Sequence, residues 1–362
     1  MALIKVKVRG QESVGGRRNI IHNGDFKVAQ RYASKTGVNS NQYVLDRWQI
    51  LNNTCHFTVS QSTDVPAGQG FSNSMKLDVT TQQASPSAGD YANITQRFEG
   101  KHLQELMKGT SNAKKVTVSF WVKSTLTGTY VLEFDDLDNN RHHPFQYTIS
   151  SANTWEKKII TFTADTTGAI DNDVNGSMRL TWWLGVGTNY TSGTYSASWQ
   201  SRQATDVNRA PGQVLFTGST ANDFYITGVQ MEIGETNTEF ENRPFGEELA
   251  LCRRYFCKTY NYADAVGSVG SGYWSWTKTT SQRWDIPLYQ GHGMRTTPTI
   301  VAYNASTGTA GQYRNASNGT DHTVGTFQAT QNVLFIDENA GNWNNLGGGS
   351  VGRMFVTADA EL

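Results

Sequence analysis

The sequence predicts an all-β protein with more than one domain, and three observations support this. Charged residues make up 17% of the chain, against roughly 25% in an average globular protein. Aromatic residues reach 11%, and Thr, Ser, Asn and Gly fill much of the remainder, which is typical of short strands joined by polar turns. With 362 residues, the chain also exceeds the roughly 100–200 residues of one ordinary domain.

The N-terminal segment has the pattern of a single strand. Ile4, Val6 and Val8 alternate with basic residues, which places the apolar and basic sets on opposite faces. A glycine-rich stretch separates this segment from the rest of the chain. Because a lone strand is not stable, residues 1–18 are expected to pair with a sheet. They form either an edge strand of the same chain or a docking arm that adds to another subunit.

Residues 19–243 predict a β-sandwich. Strand patterns succeed one another between polar turns, and the clearest alternation of apolar and polar residues lies in 116–123 and 178–184. A short helix is predicted over 101–108, where Gly109 would end it.

A helix is then predicted between two β regions. Leu249, Cys252 and Phe256 recur on one helical face, and two glutamates stand near the start, where the helix dipole favours anions. Residues 244–260 therefore form a linker helix. Residues 261–362 return to short strands and predict a second, small β-sandwich-like domain.

Charge and cysteine content weigh against several classes of protein. The chain has 31 basic and 31 acidic residues, whereas a nucleic-acid partner normally leaves a basic excess. It shows neither a signal peptide nor a long apolar run, so membrane insertion is not expected. Cys252 and Cys257, if both are helical, lie about 7.5 Å apart along the axis, which is beyond the reach of a disulfide. The three thiols indicate a reducing compartment.

The sequence lacks the motifs of common enzymes. Neither G-x-S-x-G, H-E-x-x-H nor a phosphate-binding G-x-x-x-x-G-K-[ST] loop is found, so a protein without enzymatic activity is expected. His142 and His143 stand beside several aspartates. Neighbouring strand residues point to opposite faces, so we interpret this pair as a solvated hairpin tip rather than a metal site.

No cofactor is expected, although calcium remains a candidate ligand. Asp171, Asp173 and Asn175, with a glycine directly after them, fit the first half of a calcium loop. The twelfth position, where a bidentate acid is expected, is Trp182. The alternative is a polar turn that leads into the next strand.

Strand phase selects two tryptophans as candidates for ligand binding. Trp121 and Lys123 lie on the polar side of one strand, and Arg179 and Trp183 lie on the polar side of another. An exposed Trp offers a flat apolar face with a polar edge, which suits stacking on a sugar ring or anchoring a protein interface. The alternative is that the segment 185–215 or a neighbouring subunit covers these side chains.

Several stretches resemble the structural proteins of tailed bacteriophages, marine phages among them. They occur in the same order as in those proteins and frame nearly the whole chain: 1–7, 19–26 (NIIHNGDF), 30–31 (QR), 46–48 (DRW), 226–234 (ITGVQMEIG), 238–249 (TEFENRPFGEEL), 252–255 (CRRY), 294–298 (MRTTP) and 358–362 (ADAEL). Trp48 and Trp155 occupy matching positions and are expected in the core.

The resemblance implies a virion protein that is assembled in the host cytoplasm. It implies a jelly-roll domain similar to carbohydrate-binding modules, with a small C-terminal β-domain after it. Its partners would be other virion proteins, host surface polysaccharide and copies of itself, with a trimer favoured as in phage fibres. A neutral, aromatic-rich surface also favours oligomers.

The place on the particle stays open, because the chain is short for a fibre and lacks a coiled-coil shaft pattern. A tail fibre or appendage is the leading interpretation, and a head-decoration or neck/collar protein is the alternative. Two alternatives from other classes are a glycan depolymerase tailspike and a free carbohydrate-binding module of a cellular enzyme, for which a secretion signal would be expected.

Overall fold

The computed structural model describes five ranges of the chain. It describes residues 18–202, 207–279, 283–288, 293–337 and 341–362. The predicted docking strand with Ile4, Val6 and Val8 lies outside the described residues. Within the described ranges, no helix is both long enough and apolar enough to span a membrane.

The first part of the chain consists of strands that alternate irregularly between two antiparallel sheets. These strands are β1 Ser34–Val38, β2 Gln42–Tyr43, β3 Gln49–Asn52, β4 His56–Ser62, β5 Ser74–Thr81, β6 Tyr91–Glu99, β7 Val116–Ser124, β8 Gly128–Asp136, β9 Arg141–Ile149, β10 Glu156–Phe162, β11 Gly176–Val186, β12 Gln200–Ser201 and β13 Asp223–Ile233. Sheet A has the order β1-β4-β5-β13-β7-β10, and sheet B has the order β12-β9-β8-β11-β6-β3-β2.

The two sheets pack face to face around one hydrophobic core. Val118 and Phe120 of β7 point inward from sheet A, and Leu180 and Trp182 of β11 point inward from sheet B. The rings of Phe120 and Trp182 lie 5.6 Å apart, edge to face. Trp48 is fully buried in this core, as expected. The predicted all-β fold, with a jelly-roll sandwich first, is confirmed.

The predicted helix over 101–108 is wrong in type. Two short 3-10 helices, Gly100–His102 and Gln104–Leu106, take its place. Leu103 and Leu106 are both buried, and a 3-10 helix aligns residues three apart on one side. Met107 then adopts a left-handed conformation (φ 50°), which ends the turn. The remaining short helices of the described residues are α1 Thr188–Thr191 and the 3-10 helices Phe216–Gly218 and Gly341–Asn345.

The linker helix α2 spans Phe245–Arg253, but its buried face differs from the predicted one. Glu248 and Cys252 are buried while Leu249 is half-buried. The carboxylate of Glu248 accepts a hydrogen bond from the backbone N–H of Asn23 (2.6 Å), so the helix docks on the sandwich through a charge. The helix ends before Cys257, and all three cysteines are buried and free.

The C-terminal part forms a second, smaller sandwich. Its strands are β14 Phe256–Lys258, β15 Trp274–Thr277, β16 Arg283–Asp285, β17 Thr299–Asn304, β18 Gln312–Asn315, β19 Thr320–Thr323, β20 Gln328–Ala329, β21 Leu334–Asp337 and β22 Val351–Asp359. The long strand β22 pairs with β14, β15, β17 and β18, while β16, β21 and β20 form a separate three-stranded sheet. A core around Trp276, Tyr313 and Trp343 fills the space between them. The predicted second β domain is confirmed, and its boundaries stay predictions.

A buried cluster of charges joins the two cores. Arg47 pairs with Glu361 and lies with its guanidinium 3.4 Å from the ring centroid of Tyr255. Arg31 pairs with Asp359 (2.6 Å) and with Glu361 (3.2 Å). Burial by itself would lower the pKa of Arg47, but Glu361, Tyr255 and Tyr43 together outweigh this effect and raise it. Four of the phage-like stretches, 30–31, 46–48, 252–255 and 358–362, therefore meet at this junction.

Candidate functional site

The predicted quartet of site residues is divided between the two sheets. Trp121 and Lys123 lie on β7 in sheet A, whereas Arg179 and Trp183 lie on β11 in sheet B. All four point away from the shared core, so the two pairs face opposite sides of the sandwich. Trp121 and Trp183 therefore cannot contribute to one binding surface. Strand phase gives the outward direction of a side chain but not the sheet that contains it.

Trp183 is covered rather than open. Its exposed fraction is 2%, and it packs in a small cluster with Val131, Val186 and Ala210. Its ring lies 5.3 Å from that of Tyr190, and its indole N–H donates to Glu133 (3.1 Å). The alternative that the 185–215 segment covers this tryptophan is thus the arrangement found.

Arg179 belongs to a network of buried charges that fixes the covering segment. Arg209 makes two hydrogen bonds of 2.7 Å to Glu133, and Asp135 pairs with Arg179, Arg202 and Arg209. Burial by itself would raise the pKa of Glu133, but Arg209 in particular lowers it well below its ordinary value. These opposite charges neutralise one another, so we assign this network to structure.

The outer face of sheet A has the aromatic side chains that a ligand can reach. Across its register, Trp121 lies opposite Lys157 on one side and Thr227 on the other, and Lys123 lies opposite Tyr225. Trp121 is half-buried and makes no ring contact within the described residues. The indole ring of Trp121 therefore has no aromatic partner among the described residues of this sheet.

Trp155 joins this surface, contrary to its expected place in the core. It is half-buried, and its indole N–H donates to Asp64 (3.0 Å). Lys123 also pairs with Asp64, and its ammonium lies 4.3 Å from the ring centroid of Tyr225 and 5.5 Å from that of Trp155. We call Trp121, Trp155, Tyr225, Lys123 and Asp64 the aromatic platform.

The platform combines flat apolar faces with polar groups of fixed orientation. Burial tends to raise the pKa of Asp64, but hydrogen bonds from Lys123 and Trp155 outweigh this and lower it. Asp64 is therefore an ionised acceptor at neutral pH, and its side chain remains 43% exposed. Stacking on a ligand ring and hydrogen bonding to its hydroxyls are the interactions that such a surface offers.

Sequence reasoning missed a polar strip on the outer face of sheet B. Here Gln49, Asn93, Arg97 and Arg179 each have a buried polar side-chain atom without a hydrogen-bond partner among the described residues. Such atoms are costly, and a hydroxyl-rich ligand could satisfy them. Strand phase identified only Arg179 among these four residues. Whether an amide or guanidinium group has a hydrogen-bond partner depends on neighbours from other strands.

The interpretation of the two histidines as a solvated hairpin tip is wrong. His142 and His143 do point to opposite faces, yet both are buried. His142 contacts Glu133 (2.9 Å), and the ring of His143 lies 5.0 Å from that of Phe162. Burial lowers the pKa of His143 to about 4.

The calcium candidate has the geometry of a polar turn. The carboxylate of Asp173 accepts the backbone N–H of Asn175 (2.9 Å), and the backbone N–H of Asp171 donates to Asp138 (3.0 Å). In the part of the chain that the structure describes, no three His, Cys, Asp or Glu side chains group together to hold a metal ion.

Comparison with known proteins gives distant likenesses. No family model matches the sequence, and no curated protein matches it. The enzymatically active domain of bacteriophage CBA120 tailspike protein 4 is 15% identical with a TM-score of 0.30, and the match covers 59% of this chain and 21% of that one.

Carbohydrate-binding proteins are similar at the same level. A putative sugar-binding protein from Bacteroides thetaiotaomicron is 13% identical over 60% of this chain and 100% of that one, with a TM-score of 0.32. The family 11 carbohydrate-binding module of a Clostridium thermocellum cellulosomal cellulase is 12% identical over 57% and 96%, with a TM-score of 0.26. Likeness this distant assigns neither a ligand nor a role to this chain.

Proposed function

We propose that this protein is a non-enzymatic structural protein of a tailed bacteriophage particle, a tail fibre or appendage that contacts glycans on the host surface. The aromatic platform carries the glycan part of this proposal. Half-buried Trp121, Trp155 and Tyr225 offer faces for the C–H surfaces of sugar rings, and the ionised Asp64 accepts hydrogen bonds from hydroxyls. The rings of Trp155 and Tyr225 are held by their contacts with Asp64 and Lys123, so these two side chains lose little conformational freedom on binding.

The phage part of the proposal has separate support. It comes from the ordered series of phage-like stretches, several of which build the buried junction between the two β domains. Expected partners are other virion proteins and further copies of this chain, with a trimer favoured. The virion is the expected location, after assembly in the host cytoplasm.

The buried carboxylates fit a structural role better than catalysis. A glycan hydrolase needs one protonated carboxylic acid beside an ionised one. Glu133 and Asp135 share a sheet face, but the pKa of Glu133 is lowered, because Arg209 and His142 together outweigh the effect of burial. Asp135 contacts three arginines. Glu133 is therefore not poised to donate a proton, and Asp135 is engaged in ion pairs.

The test is glycan binding by matched variants. The purified protein is screened on an array of bacterial surface glycans, and hits are measured by calorimetry. Trp121→Ala/Trp155→Ala should weaken binding by about 2 kcal/mol or more, which is roughly thirtyfold in Kd. Phe245→Ala, which removes an aromatic side chain that is 46% exposed at the start of α2, should leave binding unchanged.

Two outcomes count against the platform. If the folded protein binds no glycan, the surface serves packing between subunits. If binding survives the tryptophan variant but is lost in Asn93→Ala/Arg97→Ala, the ligand lies on the polar strip of sheet B. Copy number per particle tests the place on the virion, since appendages occur in small multiples of three or six and decoration proteins at capsid-lattice numbers.

A further inference from the structure

An open groove of about 640 Å³ lies between the two β domains. One wall comes from the start of the first sandwich, with Tyr32, Lys35, Gln42 and Tyr43, and the other from the C-terminal sheet, including Tyr303. The volume is within the roughly 300–1,000 Å³ of small-molecule sites, which often occur at domain interfaces. This junction groove is separate from the aromatic platform.

Among the charged side chains that line the groove, Lys35 is the one without an ion pair in the described residues. Arg31 and Arg47 are balanced by Asp359 and Glu361, with which they form ion pairs. Lys35 makes no ion pair among the described residues; its ammonium lies 4.4 Å from the ring centroid of Tyr32. Burial and the nearby Arg31 both lower its pKa, since each disfavours the charged form. A carboxylate beside Lys35 would relieve both effects.

The groove also has an acceptor that needs a donor. The side-chain oxygen of Gln42 is buried without a hydrogen-bond partner in the described part of the chain. The amide nitrogen of the same side chain donates to the hydroxyl of Ser40 (2.9 Å). A hydroxyl would satisfy this oxygen, whereas a bare inorganic anion would not. The half-buried rings of Tyr43 and Tyr303 offer apolar faces to the carbon atoms of a ligand ring.

We propose that the junction groove binds an acidic saccharide, whose carboxylate pairs with Lys35 and whose hydroxyl donates to Gln42. This class of ligand supplies the anion, the donor and the apolar ring face at the same time. The groove is built from both β domains, so its ligand also holds them together. The proposal is independent of the function proposed for the aromatic platform.

The test is calorimetry with the full chain and defined trisaccharides. The probes are the trimers of galacturonic acid, guluronic acid and N-acetylneuraminic acid, with neutral galactotriose for comparison. We expect at least one acidic trimer to bind more tightly than galactotriose. Lys35→Gln should weaken that binding about tenfold, as expected for a lost charge-assisted hydrogen bond. Lys35→Arg should retain it, and Lys101→Gln, a change at an exposed lysine, should leave it unchanged.

Lys35 is half-buried without a bonded partner, so its variants should fold; equal melting temperatures verify this. The proposal is overturned if none of the acidic trimers binds, if galactotriose binds equally well, or if folded Lys35→Gln binds like the original protein. Trp121→Ala/Trp155→Ala should leave binding of the acidic trimer intact. The proposal for the groove and the proposal for the platform are thereby tested by separate variants.

Discussion

Glu361 is the shared partner of two buried arginines, and its replacement tests how the junction holds the cores together. The side chains of Arg47, Glu361 and Arg31 are 2%, 4% and 7% exposed. Glu361→Gln keeps the size of the side chain but leaves Arg47 without an opposing charge in a buried site. Breaking a buried pair on one side costs about 3–5 kcal/mol. Because Arg31 keeps Asp359, we expect the lower end, about 3 kcal/mol.

Denaturant unfolding provides the measurement, with a surface pair as its control. The free energy of unfolding is compared for the original chain, Glu361→Gln and Asp321→Asn. Asp321 pairs with Arg314 at 2.9 Å, but both side chains are about one-third exposed, so its loss should cost under about 1 kcal/mol. If Glu361→Gln costs no more than the control, the junction cluster does not stabilise the fold as reasoned.

Three further predictions concern the first sandwich. Arg209→Ala should lower the free energy of unfolding by about 3 kcal/mol, because Glu133 stays buried without its main partner. Limited proteolysis should then cleave the chain faster within 187–202. An unchanged cleavage rate would contradict this. Burial lowers the pKa of His143 to about 4. As the pH falls, the imidazole of the unfolded chain therefore binds a proton at a higher pH than that of the folded chain does. As the pH falls from 6.5 towards 5, the free energy of unfolding should decrease with a slope that steepens to about 1.4 kcal/mol per pH unit, and His143→Phe should flatten that slope. Millimolar calcium should leave the melting temperature unchanged, since Asp173 closes a turn; a rise of several degrees would favour a bound ion.

The periodicity of individual strands can be predicted from the sequence alone. Alternation along a strand is a local property, because successive side chains point to opposite faces whatever the rest of the chain does. Val118 and Phe120 of one strand, and Leu180 and Trp182 of the other, accordingly occupy the phase opposite the polar one and point inward. Composition and pattern also suffice for the all-β class and for the helix before the second domain.

The helix predicted over 101–108 shows where local reasoning ends. Its residues have helical propensity, but Leu103 and Leu106 must both reach the core within a short connection. The 3-10 turns bring both side chains to the core, so tertiary packing overrides the helical propensity of this segment. The position of Trp155 cannot be read locally for a related reason, because Asp64, which binds its indole N–H, lies far away in sequence.

The sequence by itself determined the all-β class, the apolar face of its two clearest strands and the helix between two β regions. Only the tertiary structure decided that Trp121 and Trp183 lie on opposite sheets, that Trp183 is covered, and that Lys35 and Gln42 line a groove between domains. The physical reason is range: strand phase and turn chemistry act over a few residues. Sheet membership, cover and charge pairing depend on contacts between residues hundreds of positions apart, such as Arg47 and Glu361.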